Sequence, residues 1–222
     1  MRLFQSGCFW VLLIISFGLG VGSVQAQAQE AWKLAKDKDQ IQVYTRNIPG
    51  SRSSELRVEC AMEGTQSQLV ALLSDIANYK NVIYKTKSAR LIRRVSETEL
   101  LYHVVTAVPW PVSDRDMGVK LTFTQDPATK ILHVKGVGMP DLVATQPNTV
   151  RIADWLAIWQ VRPVTKQRMQ VTYTCRLDPG GDIPSWLDNV AAATSAYQSF
   201  LLIRNSLSLP RYQNKSFAFL SQ

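Results

Sequence analysis

The sequence predicts an α+β fold, a curved antiparallel sheet wrapped around one long C-terminal helix. Three observations carry that reading. From Ala89 onward the chain alternates apolar and polar residues through six consecutive segments. The breaks between those segments are short and hold Pro, Asp, Asn or Lys, so neighbouring strands run antiparallel. After them comes the longest helical pattern in the chain, Pro184 to Leu207, behind a Pro/Gly turn. A strongly twisted sheet followed by a single amphipathic helix packs by curling around it.

The elements follow in order. Arg2 is the only charge before Glu30, and Phe9 to Gly20 is almost wholly apolar. Val24-Gln25-Ala26 and Ala26-Gln27-Ala28 offer small residues at cleavage spacing, so residues 1–26 read as an export signal. That stretch is short against the roughly 20 residues needed to span a bilayer. The remaining 196 residues suffice for one domain over 27–209, with 210–222 as a C-terminal tail. Gln29–Lys36 is expected as a short helix anchored by Trp32 and Leu34. Ile41 and Val43 alternate before the Pro49-Gly50 turn. Leu56, Val58, Cys60 and Met62 form one face of a half-buried strand. Thr65–Tyr79 is expected to be helical, with Leu69, Val70, Leu72, Leu73 and Ile76 on one stripe.

The six strands are expected at Ala89–Val95, Glu99–Val108, Arg115–Thr124, Lys130–Gly138, Thr149–Val161 and Arg168–Leu177. Pro184 suits the first turn of the last helix, where no backbone donor is needed. Its apolar spacing runs through Ile183, Trp186, Leu187, Val190, Ala191, Thr194, Tyr197 and Leu201.

The strand after Pro109-Trp110-Pro111-Val112-Ser113-Asp114 carries the chain's most pointed signal. Period two places Met117, Val119, Leu121 and Phe123 on one face, and Arg115 begins that face. A guanidinium aimed at an apolar interior requires a partner, in the protein or in a ligand. Asp116 begins the opposite, polar face.

Composition narrows the function. The chain carries formal charge +8. A basic exported protein meets anionic lipid or a cell-surface polymer rather than nucleic acid. Lys80, Lys85, Lys87, Arg90, Arg93 and Arg94 lie in a stretch without Asp or Glu, suited to transient contact with an anionic membrane. Only Cys60 and Cys175 follow the signal, and antiparallel register offsets them, so two separate thiols are expected. His103 and His133 are the only histidines. No Cys/His cluster has metal spacing, and no nucleophile elbow or phosphate loop is present.

Pro109–Asp116, the Trp159…Pro163 strand end and the run Asp178–Leu187 together resemble the START family, the steroidogenic-acute-regulatory-related lipid transfer domains of helix-grip fold. The resemblance runs from Trp32 to Leu207, and the chain looks like an exported bacterial member. It departs in lacking the tryptophan the family often has near Val82. The resemblance implies a lipid-sized tunnel between sheet and helix, gated by the loop Pro109–Asp114 and the helix from Pro184. It implies ligand-facing roles for Arg115, Trp110, Tyr102, His103, Met117, Tyr173, Trp186, Val190 and Tyr197. The expected function is non-enzymatic binding, transfer or sensing of a lipid or other hydrophobic small molecule, by a periplasmic or secreted monomer without metal or cofactor. The alternatives are an enzyme of the same fold, with Arg115, His103 and Tyr173 as its visible acid/base candidates, and an envelope interaction module.

Overall fold

A computed structural model describes residues 31–51, 53–181 and 185–221, with side chains of the last helix described from Ala191. The expected export signal, Ile183, Pro184 and the side chains of Trp186, Leu187 and Val190 lie outside the described residues.

Ten strands form one sheet: β1 (Lys33–Lys38), β2 (Ile41–Asn47), β3 (Ser54–Glu63), β4 (Thr86–Arg94), β5 (Glu99–Thr106), β6 (Asp114–Gln125), β7 (Leu132–Gly138), β8 (Thr149–Arg151), β9 (Trp155–Thr165) and β10 (Arg168–Leu177). Their order is β1-β2-β3-β10-β9-β7-β6-β5-β4, and β8 pairs in parallel with the start of β6. β4 to β10 therefore form the expected meander, and β10 closes back onto β3. Helix α3 (Ser185–Ser206) lies along the concave face. There its described face, Ala193, Tyr197, Phe200 and Ile203, joins the core with Leu207 just beyond its end.

Three expectations are corrected. Gln29–Lys36 is not a helix, because Lys33–Lys38 pairs with β2. A helix of that length is marginal alone, whereas an edge strand gains a ladder at once. Leu34 is not an anchor but stands exposed, and Trp32 stacks beneath Arg46 at 4.3 Å. The helix expected over Thr65–Tyr79 is broken in two. Helix α1 (Gln66–Ser74) starts on a Thr65/Gln68 capping box and stops at Asp75, and α2 (Tyr79–Val82) follows a single 3-10 turn at Ile76–Asn78. The strand expected over Thr149–Val161 is interrupted at 152–154, which separates β8 from β9.

The residues after α3 are part of the core. Tyr212 is fully buried, accepts from Asn78 at 2.8 Å and donates to Asp75 at 3.0 Å. Phe219 packs on Phe123 of β6 with ring centroids 6.2 Å apart. Among the described residues no helix is long and apolar enough to cross a membrane.

Candidate functional site

Alternation puts one side chain in two of every strand under α3, and pairing aligns them in rows across the sheet. One row runs Ile41, Cys60, Val171, Val161, Leu132; a second runs Val43, Val58, Tyr173, Trp159, Val134, Phe123. Burial along these strands is uneven. On β10, Met169 and Val171 are buried, but Tyr173, Cys175 and Leu177 on the same face are only partly so. On β3, Met62, Cys60 and Val58 are buried and Leu56 is not. On β9 burial gives way at Trp155, and on β6 at Met117. All four losses fall at one end of the sheet, beside the β5–β6 loop. The far end is filled by α1, Phe200, Ile203, Leu207 and Tyr212. The concave face is therefore densely packed at one end and only partly buried at the other.

The side chains at this partly buried end are apolar and aromatic. Tyr173 packs edge-on to Trp159 at 4.9 Å and against Phe200 at 5.3 Å. Trp155 lies across Gly136 of β7. A Cβ there would stand 2.5 Å from the indole, so only glycine admits the ring. Cys175 and Cys60 are both free. Cys60 sits opposite Val171 and Cys175 opposite Leu56, four positions along the strand, which is the offset expected from sequence. Burial pushes the Cys175 thiol up to about 11 and the Cys60 thiol up to about 12.

Arg115 lies on the concave row at this end, 5% exposed, but it is already engaged. Its Nε donates to the Pro179 carbonyl at 3.1 Å, Nη1 to Ser113 at 2.6 Å and Nη2 to Gly180 at 2.9 Å. Burial lowers its pKa. These three bonds join the β5–β6 loop, the start of β6 and the turn leading into α3. Gly180 and Gly181 both hold positive φ, which glycine adopts at no steric cost. The loop is tied at its roots, where Val108 N donates to Asp114 at 3.2 Å and Lys87 pairs with Asp114 at 2.7 Å. The Asp114 carboxyl is held below its ordinary range, first by Lys87. At the loop's tip Trp110 is 90% exposed.

The other expected ligand-facing residues divide. Met117 and Tyr173 stand on the partly buried end of the concave face. Tyr102 shares their face but is buried against Tyr79, with ring centroids 5.4 Å apart, and burial pushes its hydroxyl pKa up. Tyr197 turns to the β1–β2 hairpin and donates to the Asp39 carboxylate, which raises its pKa. His103 stands on the convex face because it pairs with Gly118 while Tyr102 pairs with Val119, which corrects its expected ligand-facing role. It meets Asp116 there at 2.9 Å, and Arg151 grips the same carboxylate at 2.9 and 2.8 Å. Asp116, on the face opposite Met117, is 1% exposed, roofed by the segment 139–151. Arg151 holds that roof through the carbonyls of Pro140, Val143 and Ala144. Desolvation raises the Asp116 carboxyl, but the hydrogen bonds from Arg151 and His103 outweigh it and leave the pKa lowered. The structure thus puts His103 on the face opposite Arg115 and Tyr173, the other two acid/base candidates of the enzyme reading. Among the described residues no cluster of His, Cys, Asp or Glu could hold a metal ion.

Sequence reasoning passed over Trp155, Cys175, Leu177 and Leu56 as walls, and Arg151 as the partner of Asp116. The one available signal was Gly136, a glycine inside a strand, which marks close approach of a bulky neighbour.

The chain matches the START domain family over residues 24–200. It is 30% identical over 162 residues to an uncharacterized protein of Pseudomonas aeruginosa, covering 72% of this chain and 78% of the relative. Its fold superposes with a TM-score of 0.73 on the crystal structure of a STAR-related lipid transfer protein fragment from Xanthomonas axonopodis. That pair is 29% identical, and the match covers 80% of this chain and 99% of the other. It superposes with a TM-score of 0.50 on the Zhui aromatase/cyclase from a Streptomyces species, at 9% identity and covering 70% and 93%, a likeness of fold alone. With a family match that spans most of its length and a solved relative that reproduces its fold, the protein belongs to the START domain family.

Proposed function

We propose that this protein is an exported, monomeric, non-enzymatic carrier or sensor that encloses a lipid or other hydrophobic small molecule in the hollow under the first half of α3. The observation that carries the reading is the loss of burial along four strands at one end of an otherwise dense concave face. A hollow walled by Met117, Trp155, Tyr173 and Leu177 stabilises an apolar guest by about 25 cal/mol per Å² removed from water. The Xanthomonas relative's description as a lipid transfer protein supports it. The β5–β6 loop and α3 form the gate, because a ladder-bonded sheet opens less readily than a helix held by one packed stripe. Trp110 at the loop tip and the exposed cations of β4, Arg90, Arg93 and Arg94, make transient contact with anionic membrane while the gate opens. Native mass spectrometry of protein purified from the periplasm or medium tests this. The expected spectrum shows the chain without residues 1–26 and with a hydrophobic adduct that organic extraction removes. A chain that stays empty when offered mixed lipid extract overturns the carrier reading, and chemical conversion of the adduct favours the enzyme.

A further inference from the structure

The dense end of the molecule, remote from the hollow, holds a second concavity of about 580 Å³. Four segments build it: the β3–α1 connection, the β6–β7 turn, the β9–β10 hairpin and the C-terminal tail. Four cations line it, Lys130, Lys166, Arg168 and Lys215, and no carboxylate is among its described lining residues. The nearest acid paired with them is Glu63, 3.8 Å from Arg168 and itself 76% exposed. Lys130 donates to the Ser221 hydroxyl at 2.8 Å. Between the cations the lining turns apolar, at Pro163, Met169 and Leu220.

The walls are fixed by amides that are already spent. Gln66 Nε2 donates to the carbonyls of Lys130 and Val161, both at 2.8 Å. Gln68 donates to Gln213 at 2.6 Å, and Gln213 donates to the Leu207 carbonyl at 2.7 Å. These bonds fix the walls of the groove, and its charged lining groups are all positive.

We infer that this groove binds an acidic segment of a partner protein, one that carries carboxylates on either side of an apolar side chain. Charge complementarity sets the sign, since four cations without a lining acid repel one another until an anion arrives. Shape sets the class. A bilayer presents a plane that meets the cationic rim and leaves the apolar floor empty, whereas a peptide fills both. The groove's position lets such a partner hold the protein while its other end stays free, and the inference does not depend on what fills the hollow.

Fluorescence anisotropy with a short labelled peptide rich in Asp and Glu around a central Leu tests it. The peptide is expected to bind the protein, and Lys166→Glu/Lys215→Glu to weaken binding about tenfold or more. Lys38→Glu/Lys135→Glu, with the same change in net charge at exposed sites elsewhere, is expected to leave binding within about twofold. The neutral pair Lys166→Gln/Lys215→Gln gives the same reading should the reversed pair not fold. Absence of binding, or equal loss in both charge-reversed pairs, overturns the inference. So does tighter capture by phosphatidylglycerol vesicles through the same lysines, which would assign the groove to a lipid surface.

Discussion

Arg115 shows how a residue's face and its task can part. Alternation aims it inward, and the three carbonyls that meet it come from segments 2, 64 and 65 residues away. Hydrogen bonds to a charged group contribute about 1.5–3 kcal/mol each, and a buried carbonyl left bare costs about 1–3 kcal/mol. Arg115→Leu is therefore expected to lower stability in urea by about 2–4 kcal/mol and to speed release of a bound apolar probe by unlatching loop from turn. A variant as stable as the parent, with weakened binding of polar-headed lipids alone, would return Arg115 to the role of ligand contact. Asp116 offers a second test. Its folded pKa lies below the ordinary value of 3.8, so its contribution is full above about pH 4 and is lost as pH falls through the folded value. Asp116→Asn leaves Arg151 without its counter-charge and is expected to cost about 3–5 kcal/mol at neutral pH. Its melting temperature should also lack the parent's decline below about pH 4. Parallel acid limbs in the two proteins would show that other carboxylates set the decline.

Helix α3 is anchored through its described residues. Its second half is pinned by Tyr197 to the Asp39 carboxylate, by Arg204 to the Asp39 carbonyl at 2.6 Å, and by the Ser199 hydroxyl, which accepts from Tyr84 N at 3.1 Å. Tyr212 then fastens the chain to Asp75 and to the 3-10 turn after α1, and Gln213 fastens it to α1 itself. Hydrogen exchange is expected to rise in protection along the helix, with amides before Tyr197 exchanging at least about tenfold faster than those after it. Loading with ligand should narrow that difference. Uniform protection across α3 in the empty protein would place the gate in the β5–β6 loop alone.

At the scale of the whole molecule the partly buried end and the dense core share one concave face, so a reporter on each tells them apart. Cys175 lies at the partly buried end and Cys60 in the core, and both thiols are raised by burial, to about 11 and about 12. Neither reacts fast at pH 8, because the thiolate is the reactive form. N-Ethylmaleimide, being apolar and small, is expected to label the peptide containing Cys175 several-fold faster than the one containing Cys60. A bound lipid should abolish that preference. Equal labelling with and without lipid would place the guest elsewhere.

Much of this architecture was legible in the chain. Strand alternation and short polar turns fixed the antiparallel meander, and the long stripe after Pro184 fixed the gripping helix, because local periodicity states which face an element must bury. The START resemblance pointed to the helix-grip fold and its family. What local pattern could not carry was the identity of partners distant in sequence. Alternation says that Arg115 faces inward but not that Pro179 and Gly180 close over it. It puts Asp116 on the face opposite Met117 but does not reveal the roof at 139–151 that buries it, nor that His103, expected to face the ligand, meets it there. Gln29–Lys36 was misread for the same reason, since a short segment takes its structure from the neighbour that pairs with it. Register, loop path and the exposure left along each strand arise only when remote segments meet, and those three decided which end of the concave face stays only partly buried.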